Sequence, residues 1–262
     1  MNGQILLDQA SDVWTVTFSN PRRRNALSFE MYATLEEIFR RAGEEPSLRA
    51  LVLRGAEGHF AGGTDISELS ARVTSGTLGV EYEHYMAQVQ SALLALRIPV
   101  IALVEGACIG GGLVLAALSD ILYCTPDARF GSPIARTLGN TMSATSMNRL
   151  YAVLGRRLAT RMLLTATLLD ADTALRAGFV TDIVPSEDLE ATLESTLDAI
   201  RGCSPESLWS FKELERRIDS AIVKIDVDDV YQRIYGGPDF REGVDAFLAK
   251  RPAQFGVGLR SE

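Results

Sequence analysis

Three consecutive glycines, Gly110, Gly111 and Gly112, stand between an apolar run, Val100-Ile-Ala-Leu-Val104, and a second one, Leu113 to Leu118. The first run reads as a buried strand and the second as a helix with almost no polar face. Glycine lets the backbone pass close to a neighbour or a ligand. The first N–H groups of a helix have no internal partner and carry the positive end of its dipole. A strand, a glycine turn and a buried helix therefore suit a partial negative charge, either a phosphate or an oxyanion formed during reaction. The same residue types also suit a close helix–strand crossing. The triplet is not the spaced dinucleotide fingerprint, so it gives little support for a nicotinamide site.

Other residues with chemical potential lie along the chain. Asn20-Pro-Arg-Arg-Arg-Asn-Ala-Leu27 is a basic loop that could be a solvated turn or an anion clamp. His59-Phe-Ala-Gly-Gly-Thr-Asp-Ile66 is a second glycine-bearing loop directly after an apolar run, Ala50-Leu-Val-Leu53. His59 is expected to face solvent. His84 is one of two histidines, and it is the candidate proton-transfer group if it borders a pocket; a surface or packing role fits it as well. No Asp or Glu occurs between Asp127 and Asp170.

The elements that must position these residues alternate between short strands and helices. Gln4 to Leu7 and Val13 to Phe18 form an expected hairpin. Ser28 can cap a helix carrying Met31, Leu35, Ile38 and Phe39 on one face. Ser67 to Gln90 is polar to amphipathic and contains Gly76 and Gly79, so its start is expected to be mobile, with helix from Tyr82 to Leu96. Further strands are expected at Ile121 to Cys124, Arg129 to Gly131 and Phe179 to Val184, and helices fill most of the chain beyond Asp188. The pattern is that of an α/β protein.

The totals bound the function. With 262 residues the chain is one large domain or a domain with an appendage. A net charge of −8 argues against nucleic-acid binding through a general basic surface. Cys108, Cys124 and Cys203 are too few and too scattered for a disulfide framework or a zinc site, and all three are expected to fill core space. No run approaches the ~20 apolar residues that cross a membrane. The start carries no basic n-region followed by an apolar stretch, so a cytoplasmic protein with no metal and no membrane partner is expected.

Taken in order, the two glycine loops, the basic loop, Pro99-Val-Ile-Ala-Leu-Val-Glu-Gly106, Ser119-Asp-Ile-Leu-Tyr123, Ala128-Arg-Phe-Gly131, Ala174-Leu-Arg-Ala-Gly-Phe-Val180 and Arg241-Glu-Gly-Val-Asp-Ala-Phe-Leu-Ala-Lys-Arg251 resemble the crotonase superfamily, the enoyl-CoA hydratase/isomerase family, over nearly the whole chain. The resemblance implies a spiral of ββα units over residues 1–200, with a helical trimerisation region over 201–262. It also implies a homotrimer or dimer of trimers, and a coenzyme A thioester as substrate with no permanently bound cofactor. The thioester oxygen would sit between the backbone N–H groups of Thr64 and Gly111. Contacts to coenzyme A and the acyl group would fall to Arg22, Arg24, Ala61, Asp65, Ile66 and Gly110, while Phe247 and Lys250 match terminal-helix positions that reach a neighbouring subunit's ligand; a solvated helix charge fits Lys250 as well.

The chain departs from the family where hydration chemistry is done. At the positions of the two hydratase glutamates stand Val114 and Ile134, or Ala135 in place of Ile134 if the loop between Phe130 and Gly139 differs in length by one residue. Neither side chain can move a proton, so hydration by a pair of carboxylates is not expected. Arg136, Asn140, Thr141 and Ser143 lie in the loop that would line the acyl pocket and could bind a carboxylate or hydroxyl there. Two functions remain open. One is an acyl-CoA lyase or isomerase with unusual acid/base groups; the other is a non-catalytic acyl-CoA-binding homologue.

Overall fold

A computed structural model describes residues 3–222 and 226–255. Among these residues nine strands run in chain order: β1 (Gln4–Ala10), β2 (Val13–Ser19), β3 (Ala50–Gly55), β4 (Val100–Val104), β5 (Ala107–Ile109), β6 (Ile121–Cys124), β7 (Arg129–Gly131), β8 (Leu169–Asp170) and β9 (Asp182–Ile183). The helices used below are α1 (Phe29–Glu44), α2 (Ile66–Arg72), α3 (Gly76–Leu94), α4 (Gly111–Ala117), α5 (Ile134–Thr137), α6 (Ala144–Leu154), α7 (Arg156–Thr165), α8 (Ala171–Arg176), α9 (Leu189–Arg201), α10 (Pro205–Ile222), α11 (Asp228–Tyr235) and α12 (Pro238–Leu248).

The main sheet has the order β1-β2-β3-β4-β6-β9, and a second sheet has the order β5-β7-β8. β1 and β2 form an antiparallel hairpin, and every later pairing in the main sheet is parallel. Strand β4, then β5, then α4 makes one ββα turn, and β6 and β7 begin the next. A parallel bridge between Ala61 and Cys108 sets the loop after β3 beside β5.

Alternation along the central strands places apolar residues on both faces, as a parallel sheet covered on both sides requires. Leu51 and Leu53 join the main core with Met31, Leu35 and Phe39 of α1. Ala50, Val52, Ile101 and Leu103 face the other way, onto Leu189, Leu193 and Leu197 of α9. A third cluster joins Leu69 of α2 to Tyr231, Tyr235, Phe240 and Val244 of α11 and α12. The C-terminal helices therefore fold back onto the pocket side.

Three local expectations are corrected. The stretch expected to be mobile is instead the short helix α2 and the start of α3, which runs from Gly76 with Ser75 capping the Leu78 N–H. Gly76 and Gly79 are buried inside that helix because α11 packs against them, not because the chain loosens there. Cys108 and Cys124 are buried as expected, but Cys203 is exposed and its thiol bonds the Ala199 carbonyl.

Candidate active site

The basic loop and the first glycine loop are fastened together by main chain. Leu27 N–H donates to Gly63 O at 2.7 Å, and Asp65 N–H donates to Leu27 O at 2.8 Å. This is a parallel bridge between Leu27 and Thr64. Because the bridge uses the groups flanking Thr64, the Thr64 N–H points to the other side. The buried Asn25 side chain adds two donations from Nδ2, to Ala56 O at 2.7 Å and His59 O at 2.6 Å. Asp65 accepts from the Ser67 and Glu68 N–H groups, capping α2, and pairs with Arg23.

The second glycine loop faces the first. Ala61 N–H donates to Ala107 O, and Ile109 N–H donates back to Ala61 O, both at 2.9 Å. Gly110 takes φ +54° at the N-cap of α4, a value that favours glycine, and Gly111 is the first residue of that helix. A β-carbon on Gly111 would come within 2.2 Å of Tyr32 Oη and 3.4 Å of Thr64 Oγ1. Tyr32 Oη bonds Thr64 Oγ1 at 2.9 Å, and Thr64 Oγ1 lies 3.3 Å from Tyr82 Oη. Among the described residues neither the Thr64 nor the Gly111 N–H has a main-chain acceptor. Burial pushes the Tyr32 phenol up to about 12, partly offset by its bond to Thr64. It stays neutral and can donate.

Beneath these loops lies a cavity of about 530 Å³. Its walls are mostly apolar, with Met86, Val89, Leu115, Leu138 and Met142 among them. Val114 and Ile134 also face it, so both positions where the resemblance expects carboxylates carry hydrocarbon on the cavity wall. Polar groups also line it: Gln90 accepts from the Ser146 hydroxyl at 3.1 Å, and Ser132 Oγ and Asn140 Oδ1 are buried with no partner among the described residues.

The carboxyl that sequence reasoning missed is Glu83. It is 4% exposed, lines the cavity and accepts a hydrogen bond from Tyr235 Oη. Tyr235 Oη also lies 3.4 Å from Thr141 O. Burial raises the Glu83 carboxyl to about 7, and the Tyr235 bond opposes that rise. Glu83 shares a helix face with Met86 and Gln90, three and seven residues on. That spacing is the only signal that could have picked it out from the exposed Glu81.

The other expected residues divide. Arg22, Arg24, Asp65, Ile66, Gly110, Asn140 and Phe247 all line the cavity or its mouth, although the Asp65 carboxylate is engaged by α2 and Arg23. His84 does not: it turns outward, its side chain is 58% exposed, and Nε2 sits 2.9 Å from Asp228 Oδ1. A residue next to Glu83 on a helix points about 100° away from it, and on the His84 side that direction leads to Asp228 of α11, not to the cavity. Arg136 is corrected as well, because its guanidinium is exposed and donates to the Ala166 carbonyl at 2.9 Å. Ala61 is fully buried between the loop and β5 and is not on the cavity wall. Lys250 lies exposed just beyond α12, outside the lining of this chain's own cavity, and its expected reach is to the ligand of a neighbouring subunit. His59, expected in solvent, is partly buried and accepts the Ala107 N–H at Nδ1. Among the described residues no cluster of His, Cys, Asp or Glu is placed to hold a metal, and no helix is long and apolar enough to cross a membrane.

A parallel sheet in ββα turns, with a helix-opening glycine loop set against a second glycine loop over one apolar cavity, defines a crotonase-type protein. The chain belongs to the enoyl-CoA hydratase/isomerase family, whose sequence model matches residues 8–257. It is 28% identical over 254 residues to the probable enoyl-CoA hydratase echA8 of Mycobacterium bovis, covering 96% of this chain and 97% of that one. It is 30% identical over 259 residues to the 1,2-epoxyphenylacetyl-CoA isomerase of Escherichia coli, covering 96% and 97%. Among solved structures, an enoyl-CoA hydratase/carnithine racemase from Magnetospirillum magneticum superposes with a TM-score of 0.79 at 30% identity, covering 96% of this chain and 95% of that one. The protein is thus a member of an acyl-CoA-processing family.

Proposed function

We propose that the cavity binds an acyl-CoA thioester and that the Thr64 and Gly111 N–H groups hold its carbonyl oxygen as that oxygen gains charge. The observation that carries this reading is the pair of main-chain donors without main-chain acceptors, on two glycine loops pinned against each other. Such donors, fixed in a water-poor site, stabilise an enolate or tetrahedral oxyanion by roughly 10²–10³ in rate each. Arg22 and Arg24 at the mouth supply charge for the coenzyme A phosphates. The apolar Val114 and Ile134 leave no route for two-carboxylate hydration, so the chemistry is that of an isomerase or lyase. Those two residues also favour the alternative reading, a homologue that binds acyl-CoA without turning it over. No permanently bound cofactor is needed for either.

Self-association as a trimer or dimer of trimers is part of the same reading. Phe211, Leu214 and Ile218 form an exposed apolar stripe on α10 that a second copy would cover. A cytoplasmic setting accords with the three free thiols.

Titration calorimetry with butyryl-CoA, S-butyl-CoA and a nitronate analogue that mimics the enolate tests the site. The nitronate should bind at least ~10²-fold more tightly than the thioester, and S-butyl-CoA, which lacks the carbonyl, should bind more weakly than butyryl-CoA. Absence of binding by all three would reject the reading.

A further inference from the structure

We propose that Glu83 is the proton-transfer group of this pocket: its carboxylate takes a proton from the acyl carbon next to the thioester carbonyl, and the resulting carboxyl gives it back. This rests on the acyl-CoA reading above and names the group that reading lacks. The C–H bond breaks as the O–H bond on Glu83 forms, and the electron pair passes to the thioester oxygen held by Thr64 and Gly111. The proton then returns to the same carbon. In a β,γ-unsaturated acyl chain it returns instead to the γ-carbon, and the double bond moves into conjugation. No oxidant, reductant or second substrate is needed.

The placement supports the role. Glu83 lines the same cavity as Thr64 and Gly111, and its charge acts on Tyr82, whose hydroxyl reaches Thr64 Oγ1. Its charge also acts on Tyr32, whose hydroxyl abuts Gly111. Tyr235 engages Oε1, while Oε2 carries no protein hydrogen bond among the described residues and is left for the cavity. The titratable groups around it are the phenols of Tyr82 on its own helix, Tyr32 on α1, and Tyr231 and Tyr235 on α11. All four are raised by burial, so they remain neutral while Glu83 titrates. Burial brings the Glu83 carboxyl to about 7, where it can both accept and donate a proton near neutral pH. Asp65, the other carboxylate on the lining, is tied to the α2 N-terminus and Arg23 and is not free to act.

Full-length protein is incubated in D₂O with phenylacetyl-CoA, butyryl-CoA and 3-butenoyl-CoA. Deuterium uptake and double-bond migration are read by mass spectrometry and NMR, and thioester binding is read by calorimetry. Wild type should exchange or isomerise at least one probe. Glu83→Gln should lose at least ~10²-fold of that rate while binding stays within about twofold. Tyr235→Phe keeps the carboxyl and removes the donor that lowers its pKa, so it should retain turnover with the rising limb of its pH–rate profile moved upward. It also serves as the second test should Glu83→Gln fail to fold. Undiminished exchange in Glu83→Gln, an unmoved pH profile in Tyr235→Phe, or a wild type that binds thioesters yet exchanges none of the three would overturn the role of Glu83 and leave the binding site standing. A wild type that binds no thioester would reject the acyl-CoA reading itself.

Discussion

Gly79 of α3 lies directly against Tyr235 of α11: a β-carbon at position 79 would fall 2.2 Å from Tyr235 Cβ. The contact is one helical turn before Glu83, on the same face of α3. The missing side chain at residue 79 is what lets the Tyr235 hydroxyl reach the Glu83 carboxyl. Gly79→Ala gains up to ~1 kcal/mol of helix propensity but must push α11 away or strain the packing, at a cost of ~1–3 kcal/mol. The net expectation is a less stable protein with a raised Glu83 pKa. Urea unfolding and the pH–rate profile check the two halves.

Stability should depend on pH through Glu83 with a sign opposite to that of a salt-bridged carboxylate. Its folded pKa, about 7, is above its ordinary 4.5. Between those values the native chain keeps a proton that the unfolded chain has lost, so this contribution is fully present below about 4.5 and disappears as pH rises through about 7. The full difference is on the order of 3 kcal/mol. Urea melts of wild type and Glu83→Gln at about pH 5 and about pH 8 should show a gap that changes in this direction. Parallel curves would mean that Glu83 titrates normally.

Tyr32 and residue 111 should couple. Gly111→Ala places a methyl group 2.2 Å from Tyr32 Oη and forces the ring to move. Tyr32→Phe removes the clashing atom, so the double variant should be more stable than the two single changes predict. An interaction free energy of about 1 kcal/mol or more in a thermal or urea double-mutant cycle is expected; additivity would show that the loop absorbs the methyl elsewhere.

Much of the fold was readable because it is local. The β1–β2 hairpin, the buried β4 run and the glycine-opened α4 follow from apolar runs and turn residues a few positions apart. The loop residues Thr64, Gly110 and Gly111 were legible as places where backbone approaches closely. Glu83 was not legible. A glutamate between a tyrosine and a histidine, two residues after another glutamate, reads as solvated charge, and its burial comes from Tyr235, 152 residues later. His84 drew attention for its residue type, yet helical geometry turns it toward Asp228. Arg136 sits in the loop expected at the pocket, but the α5 turn sends its side chain back to Ala166. In each case an element distant in sequence decides the direction of a side chain.

With Val114 and Ile134 on the cavity wall and Asp65 tied to α2 and Arg23, the lining carboxyl left with a free oxygen among the described residues, that of Glu83, stands on the α3 side. A hydrogen lifted toward that side can be set down only from that side. The stereochemical outcome for any substrate should therefore be suprafacial, the label leaving and re-entering through one prochiral face, where a cavity with acids on opposing walls would be free to invert or racemise the centre.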